Sequence, residues 1–212
     1  MANTDDKKQG RERGSEDLWL DAAYRVLVDS GVDAIKVMPL ARSLNLSRTS
    51  FYWHFDSREA LLDALVEKWK RCNTGNLIRQ TEAYAETITE AVLNLFDCWI
   101  DSKLFDARMD FAMRHWAQNS SRLKETLENT DQQRVAAIRK MFIRFGFSEA
   151  QASVRAHTVY YTQVGYISMM VEESVADRLK RMPEYIEIFA GLPAPEGEIA
   201  RFMARHRDLA AA

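Results

Sequence analysis

The sequence predicts an all-α protein, with a small N-terminal three-helix unit joined to a larger α-helical domain. Three observations carry this. Only 8 Gly and 4 Pro fall among 212 residues, and the Val/Ile/Thr alternation of strands is scarce. Apolar residues recur instead at i, i+3 and i+4 through most of the chain. The stretch Leu40 to Phe55, LARSLNLSRTSFYWHF, reads as a short helix, a tight turn and a second short helix. Hydrophobic content of 47% with 28% charged residues is ordinary for a globular chain able to bury a core.

Residues 1–14 are polar and mixed in charge, and they read as a disordered arm. Two roles stay open for it: a solvated tail, or a phosphate or minor-groove contact through Lys7, Lys8, Arg11 and Arg13. It has no apolar run of the signal-peptide kind. Ser15 is placed to cap a first helix, with Asp17 in its first turn. Leu18, Ala22, Val26 and Leu27 form its buried stripe, and Ser30-Gly31 ends it. A second helix spans Val37 to about Leu44, with Pro39 in the first turn, where a missing N–H does no harm. Ala41 and Leu44 give it a packing side. Asn45 tolerates the left-handed conformation a tight turn needs, Leu46 plugs the turn, and Ser47 caps the next helix.

On that helix Phe51 and Phe55, spaced i, i+4, face the core. Arg48, Thr49, Ser50, Tyr52, Trp53 and His54 are left facing outward. Exposing so much aromatic surface gains nothing for folding, and here aromatics alternate with hydrogen-bond donors on a helix short enough for a major groove. The pattern is a helix-turn-helix. Ser47, Thr49, Tyr52 and His54 read as phosphate-positioning groups, and Arg48, Ser50 and Trp53 as readers of base edges, with Arg48 the candidate for guanine. The first 71 residues carry 12 Lys and Arg against 12 Asp and Glu, so the unit is neutral overall. Within residues 36–58, however, Lys36, Arg42, Arg48 and Arg58 face Asp56 alone, a local excess that suits phosphate. A fourth helix starts at Ser57 and turns Leu61, Leu62, Leu65, Val66 and Trp69 inward. It closes a first domain over 15–69 and runs on towards the second.

At these residues the chain resembles the tetracycline-repressor (TetR) family of bacterial transcriptional regulators. The resemblance covers Leu18 to Trp69 and rests on LDAAYRVLVDSG, SRTSFYWHF and DSREALLDALVEKW taken together. It implies a DNA-binding domain, a phosphate contact at Arg58 (against an exposed charge) and a dimer joined through the last two long helices of each subunit. Three positions depart from the family pattern. Ile35-Lys36 stand where a capping Thr or Ser is usual, Met38 where a basic residue is frequent, and Asn45 where the turn usually has Gly. Lys36 recovers a phosphate contact on this reading, but the cap is weak.

The second domain, 70–212, reads as long amphipathic helices. Ile88, Val92, Leu95, Phe96, Trp99 and Ile100 mark one; Asp106 to Ala117 is a short one, with Asp110 and Arg114 spaced for an i, i+4 pair. Leu123 to Phe145 follows, ended by Gly146. A helix capped by Ser148-Glu149 runs to about Glu173 and is apolar on nearly every side from Val159 to Val171. Such a helix is buried on both sides, by its own core and a second subunit, or wholly within one chain. A last helix carries Ile199, Phe202, Met203 and His206. The expected dimer contacts are Tyr161, Gly165, Ser168, Met169, Ile199, Phe202 and Met203. Trp99, Met109, Met113, Trp116, Met141, Phe142, Tyr160 and Tyr161 are the candidates to line an apolar cavity for a small effector, against plain core packing.

Other function classes find little support. The four His residues show no metal spacing, and neither a Gly-rich phosphate loop nor a G-x-S-x-G elbow is present. Cys72 and Cys98 read as thiols in a reducing cytoplasm rather than a disulfide. No run of about 18 apolar residues occurs, so no membrane span is expected. The expectation is a cytoplasmic homodimer, most simply a repressor, that binds a palindromic double-stranded DNA operator and is released by a small apolar or amphipathic effector. No cofactor or metal is called for. An interaction module that has lost DNA binding is the alternative, favoured by Lys36, Met38 and the neutral first domain; an enzyme comes last.

Overall fold

The computed structural model describes residues 15–211, and the arm with Lys7, Lys8, Arg11 and Arg13 lies outside them. Among the described residues every regular element is helical. Four helices form the first domain: α1 (Glu16–Ser30), α2 (Val37–Ser43), α3 (Arg48–Tyr52) and α4 (Arg58–Trp69). Each of α1, α3 and α4 is capped by the serine read from the sequence, Ser15, Ser47 and Ser57, whose side chain accepts a backbone N–H of the first turn. A wide turn of π geometry (Lys70–Thr74) carries α4 directly into α5 (Gly75–Glu82), so the domains share one nearly continuous helical rod.

The second domain continues with α6 (Ile88–Ile100), α7 (Ala107–Ala117), α8 (Ser121–Arg144), α9 (Glu149–Ser168), α10 (Val175–Lys180), α11 (Met182–Ala190), α12 (Glu196–Arg205) and α13 (Arg207–Ala211). Helix α6 is buried at every residue but Glu90, packed against α5, α11 and α12. α9 starts with a full capping box from Ser148 and Gln151. It stops short of the predicted Glu173. Met170 takes φ 50°, and the N–H groups of Met169, Met170 and Val171 fold back onto the carbonyls of Gly165, Ile167 and Tyr166.

That early stop changes the reading of the apolar helix. Val159, Tyr160 and Ile167 enter the core, whereas Tyr161 is 58% exposed and Met169, Met170 and Val171 are also on the surface. The sequence also placed Ile199, Phe202 and Met203 at a subunit contact. Phe202 is instead fully buried in its own domain, with Ile199 and Met203 packed beside it. The cause is polar. Glu198 accepts hydrogen bonds from Thr87 and Thr89, and His206 pairs with Asp97 at 2.8 Å, which turns the apolar face of α12 onto α6.

Two apolar cores result. The larger holds α6, α9, α11 and Phe202. The smaller belongs to the helix-turn-helix domain but is completed by Met109, Ala112, Met113 and Ala117 of α7 and Leu123 of α8. The first domain therefore closes on a helix of the second.

Candidate nucleic-acid interface

The turn between α2 and α3 is tied by the N–H of Leu46, which donates to Ala41 O at 2.8 Å, while Asn45 takes φ 55°. An Asn fits there because its short polar side chain tolerates the left-handed region. Ser47 Oγ accepts the N–H of Ser50 at 3.0 Å and fixes the start of α3. Phe51 is fully buried, edge-on to Trp19 (5.3 Å between centroids) and stacked on Phe55 (5.5 Å). These two rings set the rotation of α3. Tyr52 and Trp53 are thereby left 44% and 62% exposed, beside exposed Ser47, Arg48 and Thr49.

Arg48 is already organised. Its guanidinium lies over the Tyr52 ring, 5.5 Å from the centroid, and donates to the Tyr52 hydroxyl at 3.2 Å. Two members of the expected face differ. Ser50 is buried, since a side chain of two heavy atoms beside Phe51 does not project beyond the packed surface; its place as a base reader is withdrawn. His54 is only half exposed.

Lys36 is exposed at the start of α2, and no side chain caps that helix. Arg58 has a different employment from the one expected. Its Nε donates to Ile35 O at 2.6 Å and an Nη to Val32 O at 2.8 Å, so it braces the segment that leads into α2. The guanidinium, a donor only, fastens the loop through its carbonyls and leaves the first N–H groups of α2 without a side-chain cap.

Between the domains lies a buried polar cluster that the sequence reading touched only through Asp110 and Arg114. Asp110 of α7 is fully buried and accepts from Trp69 Nε1 (2.8 Å), Arg134 (2.9 Å) and Arg114 (2.9 Å). Burial alone would raise its carboxyl pKa, but the two guanidiniums and the indole N–H outweigh it and hold the group below the usual carboxylate range. Arg134 is fully buried too and also donates to Thr74 and Tyr160. Trp69 ends α4, so this cluster fastens the recognition domain to the second domain.

The effector candidates separate by position. Trp99 lines a cavity of 390 Å³, and Trp116 a second of 290 Å³. The others are otherwise engaged. Met109 and Met113 fill the helix-turn-helix core, Met141 and Phe142 the larger core, and Tyr160 donates its hydroxyl to Asp131 at 2.6 Å. Tyr161 faces outward against His157. Phe105, Phe111, Tyr166 and Ile167, which line the larger cavity, were not singled out by the sequence, because helical spacing does not separate a core residue from a cavity wall. Burial pushes the Cys98 thiol up to about 12, so it is no thiolate at neutral pH. Among the described residues no cluster of three His, Cys, Asp or Glu is placed to hold a metal, and no helix is long and apolar enough to cross a membrane.

Residues 20–65 match the family model for bacterial regulatory proteins of the tetR family. The chain is similar to the class D tetracycline repressor of Escherichia coli, 39% identical over 47 residues that make up 22% of each chain. It is also similar to the class A repressor from transposon 1721 of Escherichia coli, 28% identical over 158 residues, which cover 74% of this chain and 65% of that one. In both cases the match spans less than two thirds of the relative's length. Among solved structures, Salmonella enterica GusR superposes with a TM-score of 0.58 at 12% identity, over 93% of this chain and 95% of that one, which speaks for the shared fold. The helix-turn-helix domain, through residues 20–65, is thus of the tetR type of bacterial regulatory proteins, and the chain as a whole shares the all-helical fold of GusR.

Proposed function

We propose that the protein is a cytoplasmic homodimeric transcriptional regulator, a repressor that binds a palindromic operator and leaves it when a small effector binds. The observation that carries the reading is the face of α3. Arg48, Thr49, Tyr52 and Trp53 stand exposed on a helix whose rotation is locked by Phe51 and Phe55. Ser47, Thr49, Tyr52 and His54 position phosphates, Arg48 and Trp53 reach base edges, and Lys36 adds a phosphate contact from the start of α2. Arg48 keeps free N–H donors on its planar fork while Tyr52 steadies it, the arrangement a guanine edge needs.

Two copies are required to place two such helices one turn of DNA apart, about 34–36 Å. The stripe of α9 exposed at Val154, Thr158, Tyr161 and Ser168, with Gly165 half-buried between them, supports a second subunit there, with Ile188 of α11 in place of the α12 residues. A Cβ on Gly165 would meet nothing within 4 Å in its own chain, so this part of α9 has room for a neighbouring helix. The cavities beside Trp99 and Trp116 supply room for an effector.

Fluorescence anisotropy on DNA from upstream of the protein's own gene, against a scrambled duplex, tests the reading. Expected are preferential binding with a steep salt dependence, and a loss on Arg48→Ala of about 1–3 kcal/mol. Equal weak binding to both duplexes, indifferent to Arg48, would refute binding at that site.

A further inference from the structure

The seam between α1 and α7 contains two cavities that share Val28 of α1 and Phe111 of α7. The larger, 390 Å³, extends from there to the end of α6 and the C-terminal end of α9. Its size falls within the range for small-molecule sites, roughly 300–1,000 Å³. Trp99, Phe105 and Phe111 give it an aromatic wall, and one side is formed by the helix-turn-helix domain itself, through Val28. Two guanidiniums, Arg108 and Arg178, also line it, against one carboxylate, Glu172. Arg178 is committed: it donates to Glu173 and to Trp99 O at 2.7 Å. Arg108 is not. It makes a single bond of 2.9 Å to Asp29 of α1, with both side chains more than half exposed at 70% and 62%. An exposed ion pair of this kind is easily exchanged for a better partner.

We propose that this seam cavity takes an aromatic carboxylate of about two fused rings, its rings against Trp99, Phe105 and Phe111 and its carboxylate on Arg108. The inference rests on the effector-released reading above and names the class of effector. A planar carboxylate matches the guanidinium fork with two parallel bonds, where Asp29 makes one. A flat ring system gains offset or edge contacts on an aromatic wall. The consequence is direct. The carboxylate takes Arg108 from Asp29, and the rings press between Val28 and Phe111, so binding acts on α1 without a relay. Since α1 packs its Trp19 against Phe51 of α3, displacement of α1 reaches the recognition helix through one contact.

Calorimetry on the full chain, without DNA, tests the site with 2-naphthoate and its neutral counterpart 2-naphthalenemethanol. Expected is one acid per chain, bound at least tenfold more tightly than the alcohol. Arg108→Gln, at an exposed position, brings the acid down to the level of the alcohol. Val28→Trp fills the cavity from the α1 side and abolishes both; Phe111→Ala, which removes part of the wall, weakens both several-fold and serves if the first variant does not fold. Equal affinity for acid and alcohol, variants that bind as the wild type does, or no heat at millimolar ligand would overturn the proposal. Operator anisotropy is run separately. Acid bound at the seam with operator affinity unchanged keeps the site's chemistry and removes the release mechanism. Absence of operator binding in every condition counts against the DNA reading while the calorimetry still decides the site.

Discussion

Asp110→Asn tests how the two domains are held together, and its cost can be worked from the geometry. The substitution keeps the shape of the side chain and removes its charge. Of the three donors around Asp110, Arg114 loses least, because it keeps two bonds of 2.9 Å to Asp131 and is partly exposed. Arg134 loses most: it is fully buried, and its next carboxylate, Asp131, is 3.8 Å away. Breaking one partner of a buried pair costs about 3–5 kcal/mol, because the remaining charge is left without compensation. Against a total stability of roughly 5–15 kcal/mol this is a severe loss, and it lowers the melting temperature by about 6–20 °C for a chain of this size. Urea unfolding followed by circular dichroism measures it. The double variant Asp110→Leu/Arg134→Met removes both charges, and about half of the loss returns. The pH dependence has a definite sign. The folded carboxyl lies below its unfolded value, so its contribution is complete above about pH 4 and is lost as pH falls through the folded value. The gap between wild type and Asp110→Asn is therefore level from pH 5 to 8 and closes only in stronger acid. A single variant within 1 kcal/mol of wild type, or a double variant worse than the single, refutes this account.

Ser47→Ala removes the cap of a five-residue helix, costs about 1 kcal/mol in denaturant unfolding, and weakens operator binding because α3 frays. Asn45→Gly is neutral or stabilising by a few tenths of a kcal/mol, whereas Asn45→Val loses about 1–2 kcal/mol, since a β-branched residue resists φ 55°; thermal melts separate the two. Arg58→Met costs about 1–2 kcal/mol through the lost bonds to Val32 and Ile35 and leaves the salt slope of DNA binding unchanged. A slope reduced by about one unit would instead establish a phosphate contact at Arg58. Tyr160→Phe leaves Asp131, Arg134 and Arg114 each short of a partner and costs about 1–3 kcal/mol, read by the same urea titration.

The first domain was legible because its signals are local. Three serines stand where caps are needed, Asn45 stands at the left-handed position of the α2–α3 turn, and Phe51 and Phe55 fix which way α3 faces. Ser50 escaped this logic because periodicity gives direction, while burial depends on how far a side chain reaches. Arg58 escaped it because its partners, the carbonyls of Val32 and Ile35, carry no side-chain signature. In the second domain, periodicity located α6, α7, α8 and α9 but not what covers each face. The apolar stripe of α12 faces inward together with Glu198 and His206, which find Thr87, Thr89 and Asp97 more than a hundred residues away. One signal lay unread. Arg134 stands in the inward register of Thr130, Ile138 and Met141, a charge where α8 turns its buried side.

Helix α7 serves both domains, since nine of its eleven residues are divided among three tasks. Met109, Ala112, Met113 and Ala117 complete the core of the helix-turn-helix domain. Asp110 and Arg114 enter the polar cluster that holds Trp69 at the end of α4. Ala107, Arg108 and Phe111 line the seam cavity. Rotation of one short helix therefore alters all three environments together, because close-packed neighbours do not give way independently. Its N-cap, Asp106, is bound at 2.6 Å by the hydroxyl of Tyr24 on α1, so the same helix is also anchored to the domain it would move. A bulky group in the cavity works against the Met109 and Met113 packing and the Asp110 cluster at once. A ligand that shifts α7 carries α1 and α4 with it. Coupling of this kind needs no long pathway between sites, since cavity wall, domain core and interdomain tie are faces of one element.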